Sequence, residues 1–394
     1  MQQKRSGYAQ VPRGVWALGL VSLFMDISSE MIHALLPIFL MTGLGASASL
    51  VGLIEGIGEA TASIVKIFSG YLSDLLGKRK LLALIGYGLA ALTKPVFAIA
   101  MTPYEVLGAR FVDRVGKGIR GAPRDALIAD LTPASVRGAA FGIRQAMDTI
   151  GAFVGPGLAI ALMWLYSDDM RAVFSWAIVP GLISVVLLFF GVEDVGEGRD
   201  KPKARIPINL RSAANLGAAF WIVTAIGAVF SLAKFSEAFL VLRAQNVGLS
   251  IALVPLVMIA MNMIYAAVSA PIGELSDRIG RYGLLGIGLA LLIAADLVLG
   301  LWSSVLGVFA GAALWGVHLG FTQGVLSALV ADTAPEHLRG TAFGMFNLIG
   351  GVATLLASAV AGALWEAIGP EATFLTGAAF AGVALAGLTI YQRR

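Results

Sequence analysis

Asp26, Glu30 and His33 lie four and three residues apart in one apolar run, a spacing that puts all three on a single helical face. A carboxylate in a low-dielectric site holds its proton more tightly, and a nearby guanidinium loosens it. Such a group becomes a proton switch if water access or the arginine distance changes. Other charges interrupt other apolar runs. Glu55 and Glu59 are one turn apart. Asp113, Lys117 and Arg120 share a face, with Arg114 beside it, and Arg144 and Asp148 form an i, i+4 pair. At about 1.5 Å per residue, Glu30 lies about 6 Å beyond Asp26, and Asp148 roughly 15 Å from the start of its helix at Gly138. Asp26, Asp113, Arg114, Arg144 and Asp148 are therefore expected at one level. The alternative is that several are static ion pairs that fix helix register.

These charges carry chemistry only if the runs that hold them cross a membrane, and composition says that they do. Apolar residues make up 58% of the 394 and charged residues 13%, about half the share a soluble domain uses to solvate its surface. An ionisable residue at membrane depth costs at least about 2.5 kcal/mol and is a functional candidate by default. The apolar runs are long enough to span a hydrocarbon core. Their approximate bounds are 14–42, 48–74, 80–100, 103–123, 138–166, 170–191, 216–246, 248–275, 282–301, 303–327, 338–366 and 369–391. Strand alternation is absent, so the expectation is an all-α membrane protein of twelve transmembrane helices. Residues 1–13 are polar and basic and the first run is too long for a signal-peptide core, so no cleaved leader is expected. There is no cysteine, hence no disulfide, thiol nucleophile or Cys-ligated zinc.

The basic residues near Arg5, Arg79, Lys201, Arg278 and Arg394 all fall on one side if every run crosses, which predicts cytoplasmic termini. The polar stretch 192–215 divides the chain into halves, 1–191 and 216–394, as a cytoplasmic linker.

The halves repeat. Residues 126–142 match 328–344, with Asp130 and Arg137 falling on Asp332 and Arg339. The turn Gly70, Asp74, Gly77 and Lys78, followed by Arg79, matches Gly273, Asp277, Gly280 and Arg281, and both matches share an offset of about 202 residues. Parallel repeats of six spans predict two pseudo-symmetric bundles that bind substrate near the midplane and rock to alternate access. The duplicated aspartates and arginines read as latches between neighbouring helices on the cytoplasmic face. The simpler reading of each turn is a topogenic charge cluster.

The duplicated turn resembles the loop 2–3 signature of the major facilitator superfamily. Arg114-Val-Gly-Lys-Gly118 is similar to that family's fourth-span arginine motif, and Gly151, Gly155 and Pro156 to the glycine-proline motif of its antiporters. The resemblance covers essentially the whole chain. It implies that fold, and transport of a small molecule in exchange for protons.

The expected function is proton-coupled efflux of a small organic compound, without cofactor or resident metal, by a monomer in a bacterial inner membrane. Proton coupling falls to Asp26, Glu30, Asp113, Arg114 and Asp148. The expected cavity includes His33, Glu55, Glu59, Lys117 and Arg144 from the first half. The second half adds Lys234, Glu237, Asn262, Tyr265, His318, Gln323 and Asn347. Two further readings are symport of an organic anion, favoured by Lys66, Lys94, Lys117, Arg120 and Arg144, and divalent-metal export through Asp26, Glu30 and His33. A sensor on the same scaffold would need a signalling domain. An enzyme is not expected, because no nucleophile–base pair or His-Glu metal motif is present.

Overall fold

A computed structural model describes residues 10–193, 213, 215–335 and 338–392, and excludes the side chains of 134, 270, 273–279 and 324. Most of the linker at 192–215 therefore lies outside the described residues, as do His337 and the side chain of Asp277. The described chain is helical. In order, the helices are α1 Arg13–His33, α2 Leu36–Ile38, α3 Ala48–Leu76, α4 Arg79–Ile99, α5 Pro103–Leu131, α6 Arg137–Leu165, α7 Met170–Trp176 and α8 Ile178–Gly191. The second half follows with α9 Gly217–Ala233, α10 Ala238–Asn246, α11 Pro255–Ile279, α12 Arg281–Leu301, α13 Val305–Thr333, α14 Arg339–Ala367 and α15 Pro370–Gln392.

Eleven of the described helical segments are long and apolar enough to cross a membrane. The twelfth expected span, α5, is 29 residues long, yet its run of Asp113, Arg114, Lys117, Arg120, Arg124 and Asp125 removes its apolar character. Such a helix is tolerable in lipid only where its charges face protein, and Asp113, Arg114 and Arg120 are indeed buried.

Local sequence sets the helix ends, and the repeat extends to the caps. Thr102 begins α5 by accepting the Glu105 amide at 3.3 Å, while Glu105 reaches back to the Met101 amide at 2.7 Å, with Pro103 in the first turn. Ser304, 202 residues on, caps α13 by accepting the Gly307 amide at 3.0 Å. The first helix of each half is broken at matching places. α1 stops at His33 and resumes at Leu36, and α9 stops at Ala233 and resumes as α10 at Ala238. Both breaks fall inside runs, 14–42 and 216–246, that were expected as single spans. Pro37 contributes to the first. At the second, the Ser236 amide turns to Ser358 Oγ at 3.1 Å instead of back into its own helix.

Contacts group the chain into two compact units, residues 1–33 with 64–206 and residues 34–63 with 207–394. In the first unit α1 packs on α6 and α8, and α4 on α5. The core there is built from Val15, Leu18, Val21 and Met25 of α1 with Tyr87, Ala90, Leu127 and Ile143. Glycine fixes the α4–α5 spacing. A Cβ on Gly86 would come within 2.6 Å of the Gly116 carbonyl, and the converse distance is the same, so the two backbones touch. In the second unit α12 packs on α13 and α15, and α11 on α13.

Candidate functional site

The charges of the first unit gather into two clusters, not the single level expected from helix rise. The inner cluster joins α4, α5 and α1. Lys94 Nζ lies 3.0 Å from Asp113 Oδ1 and donates to Ser29 Oγ at 3.1 Å, while Arg114 Nε stands 4.0 Å from the other Asp113 oxygen. Lys94 and Asp113 are only 2% and 6% exposed. Lys94 is thus a direct ion-pair partner of Asp113, beside Arg114. A lysine between Thr93 and Pro95 gave no local sign of where its ammonium would go.

The second cluster joins α1, α5 and α6. Arg144 Nη2 donates to Asp148 Oδ2 at 2.6 Å, and Arg144 Nε lies 3.8 Å from Asp125. Arg124 donates to Asp125 Oδ1 at 3.1 Å and to Ser22 Oγ at 2.9 Å, and its Nη1 stands 4.0 Å from Asp148 Oδ1. Ser22 also meets the Tyr87 hydroxyl at 3.2 Å, and the Arg120 guanidinium stacks over the Tyr87 ring at 4.8 Å. Arg124 and Asp125 of α5 thus group with Arg144 and Asp148 of α6. The cause is the i, i+4 geometry of Arg144 and Asp148, which aims both at α5.

On α1, Asp26 lies between Ser22 and Ser29, the contacts of these two clusters, and Glu30 follows Ser29; glycines seat both carboxylates. A Cβ on Gly151 would lie 2.8 Å from Asp26 Cβ and 3.0 Å from the Leu23 carbonyl. One on Gly155 would lie 2.7 Å from Glu30 Cβ and 2.9 Å from the Ile27 carbonyl. The four-residue spacing of the glycines on α6 matches the four-residue spacing of the carboxylates on α1. Asp26 is half-buried and makes no hydrogen bond or ion pair among the described residues. Glu30 has His33 Nδ1 at 3.8 Å. Pro156 follows within the helix, one residue beyond the Glu30 contact.

The remaining expected residues are dispersed. Glu55 is fully buried and Glu59 partly so, on the part of α3 that groups with the second unit. There Gly56 lets α3 approach α14, since a Cβ would come within 2.9 Å of the Leu355 carbonyl. Lys117 is exposed on α5. In the second unit Lys234 and Glu237 flank the α9–α10 break, and the Tyr265 hydroxyl donates to Gln323 at 3.0 Å. Asn262 is half-buried and Asn347 exposed. His318 was expected in a cavity. It is completely buried, with Nδ1 2.8 Å from the Gly288 carbonyl, because α12 approaches closely at that glycine. Among the described residues no group of three or more His, Asp or Glu side chains is placed to hold a metal ion.

The turns behave as a matched pair. Arg79 bonds the Ala126 carbonyl at 3.0 Å, Asp130 at 2.6 Å and Asp74 at 3.4 Å. Arg281 bonds the Ala328 carbonyl at 3.1 Å and pairs with Asp332. Each set of partners is offset by 202 residues. Gly77 and Gly280 take φ of +67° and +88°, which explains a glycine at each turn. Arg137 and Arg339 are exposed at the start of α6 and α14.

Two helical units with a duplicated Arg–Asp turn, and charges confined to helix faces, describe a transporter scaffold. The sequence matches the Major Facilitator Superfamily model over residues 18–242 and again over 218–394. The chain belongs to the major facilitator superfamily. It is 32% identical over 387 residues to an uncharacterised MFS-type transporter of Methanocaldococcus jannaschii, covering 97% of this chain and 95% of the relative. It is 29% identical over 168 residues to the quinolone resistance protein NorA of Staphylococcus aureus, 42% of each chain. Among solved structures, the nucleoside transporter NupG superposes with a TM-score of 0.80 at 14% identity, covering 97% of this chain and all of that one. That likeness speaks for the fold alone.

Proposed function

We propose that this transporter exports a small organic compound in exchange for protons, with Asp26 as the residue that carries the proton. The observation behind this reading is the seat of Asp26 and Glu30 on Gly151 and Gly155. The glycines press one carboxylate-bearing face of α1 against α6, half-buried and beside two arginine-rich clusters, yet leave Asp26 without a partner of its own. Asp113 is the weaker candidate, since Lys94 already holds its charge in place. Arg124 is the natural counter-charge for Asp26. It sits on Ser22, one helical turn before Asp26, and a change of rotamer would shift it from the Asp125–Asp148 side to the deprotonated carboxylate. Protonated Asp26 releases Arg124, and ionised Asp26 recruits it. Loading and release are thereby tied to the rocking of the two halves, residues 1–191 and 216–394, joined by the 192–215 linker.

Three further points support efflux over uptake of an anion. The glycine-proline motif is of the antiporter type. The partial likeness to a quinolone resistance protein points the same way. Lys94 and Arg144, two cations on which an anionic cargo would depend, are engaged by Asp113 and Asp148. In this reading the protein is a monomer in a bacterial inner membrane, with both termini in the cytoplasm and the Arg79 and Arg281 turns on the cytoplasmic face as latches. Glu30, His33, Glu55, Glu59, Lys117, Asn262, Tyr265 and Gln323 remain the candidate cavity residues.

The test is a cargo panel. Purified protein in liposomes with a luminal pH dye, under an imposed proton gradient, is offered cationic drugs, neutral metabolites, organic anions and divalent metals. Proton movement opposite to an added cation or neutral compound supports the proposal. Proton movement in the same direction as an anion, and with no other class, overturns it in favour of symport.

A further inference from the structure

The offset of 202 residues that relates the two halves also relates their buried charges. It carries Lys94 onto Asp296 and Asp113 onto Trp315. In the first half this place is complete: the Lys94 ammonium lies between Asp113 and Ser29. In the second half the sign is reversed and the counter-ion is gone. Asp296 is fully buried on α12, and among the described residues neither carboxylate oxygen has a hydrogen-bond partner. The indole N–H of Trp315, also fully buried, has none either.

The surroundings of Asp296 favour a positive occupant. A Cβ on Gly377 of α15 would lie 2.7 Å from Asp296 Oδ2, 2.9 Å from Phe235 Cε1 and 3.3 Å from the Ala233 carbonyl oxygen. These three groups therefore converge on one point. Ala233 is the last residue of α9, so its carbonyl belongs to the negative end of that helix dipole. The chain breaks at Lys234–Glu237, where Ser236 turns away to Ser358, so the break is built into the fold. The Phe235 ring packs 5.5 Å from Trp315 and 5.6 Å from Phe374, which walls the place with apolar rings. A carboxylate and a helix carbonyl end both repel an anion and attract a cation. Broken helices in transporters use unwound carbonyls in this way for coupling ions. The other titratable groups on the surrounding elements, Lys234, Glu237, Arg243, His318 and Glu371, make no bond to Asp296, and Arg243 and Glu371 are bonded to each other at 3.1 Å. An isolated buried charge in such a place is too costly to leave uncompensated.

We propose that Asp296 and the carbonyl end of α9 form a binding site for one small monovalent cation, a proton or a sodium ion, in the C-terminal half. The first half fills the equivalent place with its own lysine; the second takes the charge from solution. This inference does not rest on Asp26 being the proton carrier, and either can fail without the other.

Two measurements on the whole protein in nanodiscs test it. Thermal stability is followed in sodium, potassium and choline chloride at constant ionic strength, and infrared difference spectra are searched for the carbonyl stretch of a protonated carboxyl. Sodium-specific, saturable stabilisation that Asp296→Asn removes supports the sodium form. No sodium effect, with a protonated-carboxyl band that Asp296→Asn removes and Asp296→Glu shifts, supports the proton form. If the wild-type protein shows neither a sodium effect nor such a band, the site does not exist. A band that survives unchanged in Asp296→Asn and Asp296→Glu also overturns it, since the band then belongs to another carboxyl.

Discussion

Replacing Asp113 with asparagine should be among the most damaging conservative changes in this protein, and replacing Lys94 in the same chain should repair much of the damage. The two side chains are 6% and 2% exposed and meet at 3.0 Å. An asparagine there would remove the negative charge and leave the Lys94 ammonium in the bundle interior with only neutral acceptors, the new amide oxygen and Ser29 Oγ at 3.1 Å. Removing one member of such a pair costs about 3–5 kcal/mol, because the other stays behind as an uncompensated buried charge. Replacing both by apolar residues of similar volume is often close to neutral. Unfolding in mixed micelles by titration with a denaturing detergent, followed by tryptophan fluorescence, gives the change in apparent free energy. Asp113→Asn and Lys94→Met should each lose several kcal/mol, and Asp113→Leu with Lys94→Met should recover most of that. The reasoning fails if either single variant stays within about 1 kcal/mol of wild type, as an exposed ion pair would. It also fails if the losses simply add in the double variant.

Three further outcomes follow from distances on other helices. Gly151→Ala and Gly155→Ala would press Cβ atoms against Asp26 and Glu30 at 2.8 and 2.7 Å, well inside the normal carbon contact of about 3.5–4.0 Å. Each should cost about 1–3 kcal/mol as overpacking and sharply reduce transport. Gly157→Ala, which meets nothing within 4 Å, should leave both stability and transport unchanged; equal effects at all three would remove the helix-seat argument. At the turns, Arg79 and Asp130 are 16% and 27% exposed against 34% and 55% for Arg281 and Asp332. Arg79→Gln should therefore slow transport and destabilise more than Arg281→Gln, with the second loss within about 0.2–1 kcal/mol. Arg243 is buried and donates to the Leu299 carbonyl, Asn246, Ser303 and Glu371. Arg243→Lys cannot span those four acceptors, so it should lower the thermal midpoint clearly in a melting assay, whereas Glu371→Gln should have a smaller effect.

Much of this molecule was legible from its residues. The helical spans followed from composition, and the repeat marked Asp130 and Asp332 as equivalent positions, though it set them beside Arg137 and Arg339 and not beside Arg79 and Arg281, with which they pair. The carboxylate face of α1 was visible in the four- and three-residue spacing of Asp26, Glu30 and His33. Helix rise alone, however, gives depth and not azimuth, so it merged two clusters that lie apart around Ser22 and Ser29. The break at 34–35 falls among apolar residues with nothing polar to mark it, while Lys234 and Glu237 at the second break were read as cavity residues and not as a break. Asp296 was missed for a related reason, as a single charge in a long apolar stretch, and Lys94 was read only as a cation for an anionic cargo, not as a partner of Asp113. Carrying the 202-residue offset through spans 3, 4, 9 and 10 would have set Lys94 against Asp296 and Asp113 against Trp315, and so shown that one half keeps an ion pair the other has lost.

The central claim is that Asp26 couples cargo to protons, and uphill transport tests it most directly. Liposomes holding wild-type protein are loaded with equal cargo on both sides, a pH gradient is imposed, and cargo movement is followed with a radiolabel. Wild-type protein should concentrate the cargo on one side, and Asp26→Asn should exchange labelled for unlabelled cargo across the membrane while failing to concentrate it. If Asp26→Asn still drives cargo uphill on the pH gradient, the proton is carried elsewhere and the account is wrong.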